Sequence, residues 1–492
     1  MNQLKEVFIF FPFLAIETII FINIFIIAVK KRKFSEFFSI FSLISILFIF
    51  LFYKKNSLNL KFKEFFLFDN LYFFYSILSL TLIIFLFLDC KIFFKSEKKN
   101  LNNLEEIYIL FFISLISSMI VSSSNGMITL YIGIEIFSIT SFGIVSFIEK
   151  NKYTKESITK YILYSVVSSA ILLFGIALVY ASIGKFSFSS IQENIFLINK
   201  EKLENTIFLV GLSFSLVGIS GKLSLFPFHF WTADTYQGIS NISSIFISTI
   251  GKVILFSGIS KFLLKTSILE IEYIYYLIYI LVVLSIFFGN FIGFFQKRLT
   301  RMIGCSSITT TGIILSPYLI KKGILEENQA IKLSISYLLG YIITILGIFL
   351  FIQIIEKIKE KDEKEIGIDK IFSYEGYLHN FPILRFSFLV FLLSFCGLPI
   401  TIGFITKFFI LFSFIKNNFF IIPIFILVSS FLGILYFLKI TKILYSNKKI
   451  HSLIVKKNSK ILIYKFFMFF YSIVIVIFGL HPKLIEDIIN LF

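Results

Sequence analysis

Apolar runs of about twenty residues recur along the whole chain, and a helix of that length spans the roughly 30 Å hydrocarbon layer of a bilayer. A soluble core has no use for so many. The runs lie at 8–29, 35–53, 71–89, 107–122, 126–148, 159–183, 206–230, 238–264, 273–296, 302–320, 328–355, 384–415, 419–440 and 462–480. They predict an all-α polytopic membrane protein of about fourteen transmembrane helices, because helices satisfy every backbone polar group without water. The twelfth run is too long for one plain span and contains Gly397 and Pro399, so it is expected to be interrupted.

The first run lacks a small-residue cleavage site and reads as a retained helix rather than a signal peptide. A net charge of +18 raises nucleic acid as a partner, but the lysines sit in short loops, where topology accounts for them. Of 47 Lys and Arg, 29 fall in or beside loops after odd-numbered runs and 15 in the even loops and tails. By the positive-inside rule the odd loops are cytoplasmic and both termini lie outside. Cys90, Cys305 and Cys396 are dispersed and support neither a metal or iron–sulfur site nor a disulfide framework. No phosphate-cradling glycine pattern occurs, so no nucleotide is expected on this chain. The charged stretches Glu356 to His379 and 441–461 read as solvated connectors, without a separate soluble domain. HPKLIEDIINLF after the last run leaves no room for a long appended helix.

Five ionisable residues fall well inside runs: Glu17, Glu135, Lys222, Lys252 and Lys407. Each charge at the bilayer centre costs about 2.5–3.5 kcal/mol on the mildest scale, so such residues line polar pathways or pair with one another. Pro227 follows Lys222 and frees the carbonyl of Leu223, which predicts a helix broken beside the charge. Lys407 repeats the theme after Gly397 and Pro399. Glu135 is flanked by apolar residues and is expected to have a lysine partner. One acid neutralises at most one lysine, so static ion pairs do not account for the set. At an effective dielectric of about 20, an acid about 4 Å away stabilises a charged lysine by about 4 kcal/mol, enough to bias proton loading. Glu17 is either an interface residue or a tolerated polar one.

Lys160, at the start of the sixth run, reads alone as a snorkelling lysine. His229 is placed to cap the broken helix, shuttle protons or sit at the interface, and Trp231 reads as an interfacial anchor. Ser306, Ser307, Thr309, Thr310 and Thr311 make the tenth run rich in hydroxyls, which bond back to helix carbonyls or support a water chain.

Taken together, LYIGIEIFSI (130–139), KESITKYIL (155–163), GKLSLFPFHFWTADTYQG (221–238), GK (251–252), RMIGCSSI (301–308) and GLPITIGFITKF (397–408) resemble the antiporter-like membrane subunits of proton-pumping NADH-quinone oxidoreductase, respiratory complex I. Asp234, Tyr236, Gln237 and Gly238 look like the N-type rather than the M- or L-type, and the short tail lacks the long lateral helix of the L-type. The resemblance implies two inverted five-helix repeats, runs 4–8 and 9–13, with discontinuous seventh and twelfth helices. It divides the chain into 1–100, 101–265 for the first repeat, 266–442 for the second, and 443–492. It implies a proton path through Glu135, Lys222, Lys252 and Lys407, with Lys160 and His229 accessory. Thr310 stands where the family often has a histidine, and would relay protons through water.

By the same resemblance the chain binds no cofactor itself; NAD, FMN, iron–sulfur clusters and quinone belong to partner subunits. Implied partners are the M-type subunit, small membrane subunits of the K and J types, and lipids, in a bacterial inner membrane or, alternatively, an organelle inner membrane. Two other readings are a subunit of a multisubunit cation/proton antiporter and a non-pumping structural subunit of complex I.

Overall fold

The computed structural model describes residues 10–29, 32–56, 60–62, 64–97, 104–148, 152–201, 205–320, 327–359, 381–445 and 459–490. Of the connectors expected at 356–379 and 441–461, residues 360–379 and 446–458 lie outside the described residues. The chain is helical almost throughout: α1 (Phe11–Ala28), α2 (Arg32–Asn56), α3 (Asn70–Glu97), α4 (Leu104–Ser123), α5 (Met127–Ile148), α6 (Lys152–Ile183), α7 (Phe188–Glu201), α8 (Thr206–Lys222) and α9 (Phe230–Gly238) come first. Then follow α10 (Asn241–Phe246), a π-helical turn (Ile247–Gly251), α11 (Lys252–Thr266), α12 (Glu272–Phe294), α13 (Leu299–Leu315), α14 (Glu327–Lys359), α15 (Pro382–Cys396), α16 (Ile402–Lys416), α17 (Ile421–Leu444), α18 (Ser459–Leu480) and α19 (Lys483–Asn490). An antiparallel hairpin of β1 (Leu60–Phe62) and β2 (Phe66–Phe68) precedes α3, an exception to the all-helical expectation.

Every apolar run of the sequence corresponds to a helix or a broken pair of helices. Ten helices among the described residues are long and apolar enough to cross a bilayer singly. The helices of the second, seventh, twelfth and fourteenth runs are not among those ten, so helix length and apolarity alone do not establish fourteen crossings. The seventh is split into α8 and α9 and the twelfth into α15 and α16. After α18 the chain bends by 97° into α19, whose Ile485 and Ile489 are buried.

Burial sorts the helices into a centre and a rim. The α10–π–α11 helix and α13 are buried all round, which explains why their sequences carry serine, threonine and lysine among apolar residues. On the rim, α1 and α17 expose Phe21, Phe25, Leu427 and Phe431, as helices facing lipid do. The most extensive helix–helix contact is α6 on α8. There a Cβ on Gly218 would lie 2.6 Å from the backbone nitrogen of Leu172, and one on Gly175 2.4 Å from that of Ser215. Only glycine permits this approach, and it fixes the end of α8, where Lys222 sits, against α6.

Candidate functional site

The first lysine stands where its helix stops. α8 ends at Lys222, and the following turns, with Ser224 at φ +59° and a cis Phe226–Pro227 bond, separate it from α9. This is the break that Pro227 predicts. The side chain of Lys222 is 6% exposed, and its Nζ lies 3.3 Å from Glu135 Oε1 on α5. It also donates at 2.8 Å to Ser138 Oγ on α5 and at 2.8 Å to Ser165 Oγ on α6. Glu135 in turn accepts from Ser169 Oγ at 2.6 Å. The expected partner of Glu135 is therefore Lys222, and two hydroxyls complete the ammonium's hydrogen bonds.

Lys252 follows the π-helical turn, a feature frequent at functional positions. It is buried and donates to the Ser307 carbonyl at 2.9 Å and to Thr310 Oγ1 at 3.0 Å, both on α13. Its Nζ sits 4.0 Å above the ring of Tyr341 on α14. A cation–π contact and two neutral acceptors replace a carboxylate here. A cavity of about 30 Å³ lies between the two lysines and is lined by both, with Ser138, Ser165, Tyr161 and Tyr236 among its polar walls. That is room for about two waters.

Lys407 lies on α16 beyond the second break. α15 ends at Cys396, Gly397 takes φ +78°, and the chain doubles back so that Lys407 Nζ donates to the carbonyls of Cys396 at 2.9 Å and Phe395 at 3.2 Å. Its charge is held by the negative end of a helix dipole. Among the described residues neither Lys252 nor Lys407 has a carboxylate in salt-bridge range.

The remaining expected residues fare differently. Lys160 is no free snorkelling lysine: it bridges Glu156 at 2.9 Å and Asp234 at 2.9 Å, and Asp234 also holds Arg301 at 2.9 Å. His229 occupies the N-cap position of α9, but its side chain makes no capping bond. It is buried, stacks on Phe226 and Phe230, and its Nδ1 has no partner. Trp231 is buried and not an interfacial anchor; its indole donates to the Gly221 carbonyl at 3.1 Å and packs on Tyr161. That bond fastens α9 back onto the end of α8. Glu17 is exposed on the outside of α1, away from the lysines. On α13, Ser306, Thr310 and Thr311 bond back to helix carbonyls, whereas the hydroxyls of Ser307 and Thr309 have no partner.

Sequence reasoning missed several buried charges. Lys261 on α11, counted by its position with the loop beyond, is 1% exposed and pairs with Asp69 at 3.0 Å. Asp89, at the end of the third run, is buried and accepts from Gln353 Nε2 at 2.9 Å. Glu356, only half-buried, accepts from Asn241 Nδ2 at 2.5 Å. The signal for Lys261 was its place inside the eighth run, three residues short of the end. Among the described residues no cluster of three His, Cys, Asp or Glu is arranged to hold a metal.

Three kinds of likeness bear on this arrangement. The profile of the family described as NADH:quinone oxidoreductase/Mrp antiporter, TM, matches residues 124–433, a span that contains Glu135, Lys222, Lys252 and Lys407. The chain is 30% identical over 398 residues to NADH-quinone oxidoreductase subunit N of Blochmanniella floridana, covering 79% of this chain and 78% of that one. Among solved structures, a chain of respiratory complex I from Thermus thermophilus with bound aureothin shares the fold with a TM-score of 0.75 at 19% identity, over 96% of this chain and 98% of that chain. A chain of the Mrp complex from Dietzia sp. DQ12-45-1b gives 0.77 at 16% identity, over 97% and 95%. The multi-pass membrane fold, the broken helices with their lysines and these likenesses agree: the chain belongs to the family of NADH:quinone oxidoreductase/Mrp antiporter transmembrane subunits.

Proposed function

We propose that this chain is the N-type proton-translocating membrane subunit of a bacterial NADH-quinone oxidoreductase. The observation that carries the reading is the pair of buried lysines facing one small cavity, of which, among the described residues, only Lys222 has an acid partner. Movement of Glu135 toward Lys222 favours the charged amine and movement away favours its release of a proton, since the pair interaction falls steeply with distance in a low dielectric. A released proton crosses the cavity through water to Lys252, with Thr310 oriented by the same amine. Lys407, steadied by the α15 carbonyl end, takes it onward; Lys160 and His229 are accessory. The two broken helices then occupy equivalent places in repeats at 101–265 and 266–442, flanked by segments 1–100 and 443–492.

In this reading the chain does no redox chemistry. NAD, FMN, iron–sulfur clusters and quinone belong to other subunits, and an M-type subunit, K- and J-type small subunits and lipids surround this one in the inner membrane. The Mrp complex has the same fold, so the fold does not distinguish a cation/proton antiporter; the identity to an N-type sequence favours the first reading. Mass spectrometry of the native detergent-solubilised complex separates the two. Flavin- and iron–sulfur-bearing subunits are expected alongside this chain, and finding only small antiporter-type membrane subunits overturns the proposal.

A further inference from the structure

Asn241, Ser244, Ser248 and Lys252 recur at intervals of three, four and four residues, so they form one stripe along the α10–π–α11 helix. The stripe is roughly 15 Å long at about 1.5 Å per residue, half the bilayer's hydrocarbon thickness. Ser244 and Ser248 are fully buried, Asn241 nearly so. The hydroxyl of Ser244 has no partner in spite of its burial, a rare condition in folded proteins. Near Lys252, Tyr236 lines the cavity between the lysines, and the buried Ser307 and Tyr341 hydroxyls have no hydrogen-bond partner. Buried hydroxyls without a protein partner are the groups that ordered water satisfies.

The stripe faces α14, which presents Tyr341 at the Lys252 end and Glu356 at the Asn241 end. Between these lie Ile345 and Ile352, both fully buried. A hydroxyl stripe against an apolar wall gives any water that enters it one course, along the hydroxyls. Glu356 is the first acid on that course: it is half-buried and bound to Asn241 at 2.5 Å. It stands at the α14 end from which the charged 360–379 stretch departs.

We infer that Glu356 is the proton-collecting acid of an entry route to Lys252, running Glu356, Asn241, Ser244, Ser248 and the Tyr236–Ser307 hydroxyls. Glu356 gives its proton to the first water of the route and regains one from the solvent outside. At the far end the neutral Lys252 amine takes a proton from the last water, so the route ends as it began. The inference rests on Lys252 being part of the proton path.

The test uses inverted membrane vesicles containing the whole complex, with NADH oxidation and proton uptake recorded together while the pH of the medium is raised. E356D is expected to keep the wild-type ratio of protons to electrons. E356Q is expected to lose it, the deficit deepening by up to about tenfold per pH unit as supply reverts to bulk hydronium. A merely structural carboxylate gives no such pH-dependent gap between the two variants. If E356Q fails to assemble on native gels, S244V, which plugs the route without touching a charge, takes its place. A wild-type ratio at every pH in the assembled variant overturns the inference, provided K252M lowers the ratio in the same vesicles. Full pumping by K252M instead overturns the proton-path reading beneath it.

Discussion

Replacing Glu135 by glutamine should destabilise the assembled protein more than replacing Lys222 by methionine, and the reason is the unequal burial of the two partners. At the observed 3.3 Å, with an effective dielectric of about 20, the pair attraction is about 5 kcal/mol. Glu135→Gln strands Lys222, whose side chain is 6% exposed and whose other acceptors among the described residues are two serine hydroxyls. The expected cost is about 3–5 kcal/mol, as for a buried pair broken on one side. Lys222→Met strands Glu135, which is 26% exposed and keeps the Ser169 hydroxyl, so water makes good part of the loss and the cost falls to about 1–3 kcal/mol. The double variant should fall short of the sum by about 2–3 kcal/mol. Cys90, Cys305 and Cys396 are all buried, so maleimide labelling of this chain's band during heating of the intact complex reports its own unfolding. Lys222→Met proving the worse of the two, or strictly additive costs, refutes the reasoning.

Three further outcomes follow from the packing. Gly218→Ala places a Cβ 2.6 Å from the Leu172 backbone and must push α8 off α6, at about 1–3 kcal/mol; the Lys222–Ser165 bond should open and pumping should drop with every charge retained, read by thiol exposure and vesicle acidification together. Gly397→Ala meets a left-handed backbone and a Cβ contact of 2.8 Å to Lys407 Cδ; costing about 1–2 kcal/mol in backbone strain alone, it should reproduce the pumping loss of Lys407→Met, and normal pumping shows that the helix-end carbonyls do not position that lysine. Lys261→Met strands Asp69 beside the hairpin and should cost about 3–5 kcal/mol in the same heating assay, whereas a loss within error means the pair is dispensable.

Much of this architecture was legible because its physics is local. Length and apolarity give the helices, Pro227 and Gly397 mark both breaks, and a lone acid among lysines demands the contact that Glu135 and Lys222 make. Trp231 was misread because a single aromatic near a run's end has the same sequence signature at an interface and in a core; its indole bond to the Gly221 carbonyl depends on how α9 folds back. Lys261, Asp89 and Glu356 were missed for a related reason. Each lies at or near the end of an apolar run, where a charge is ordinarily solvated, and only the packing of α3, α14 and α11 encloses them. The π-helical turn before Lys252 leaves no sequence signal, since its extra residue per turn is chosen by tertiary packing. Lys160 divides in the same way: Glu156 stands four residues before it on α6, a spacing visible in sequence, whereas Asp234 becomes its neighbour only once α6 and α9 touch.

The most direct test of proton passage through this chain is the ratio of protons translocated to electrons transferred in an assembled complex carrying Lys252→Met. The lysine has no carboxylate partner among the described residues to leave stranded, so assembly should survive and the ratio alone should report its role. A ratio clearly below wild type at similar NADH oxidation is the predicted result; an unchanged ratio in the assembled variant contradicts the account.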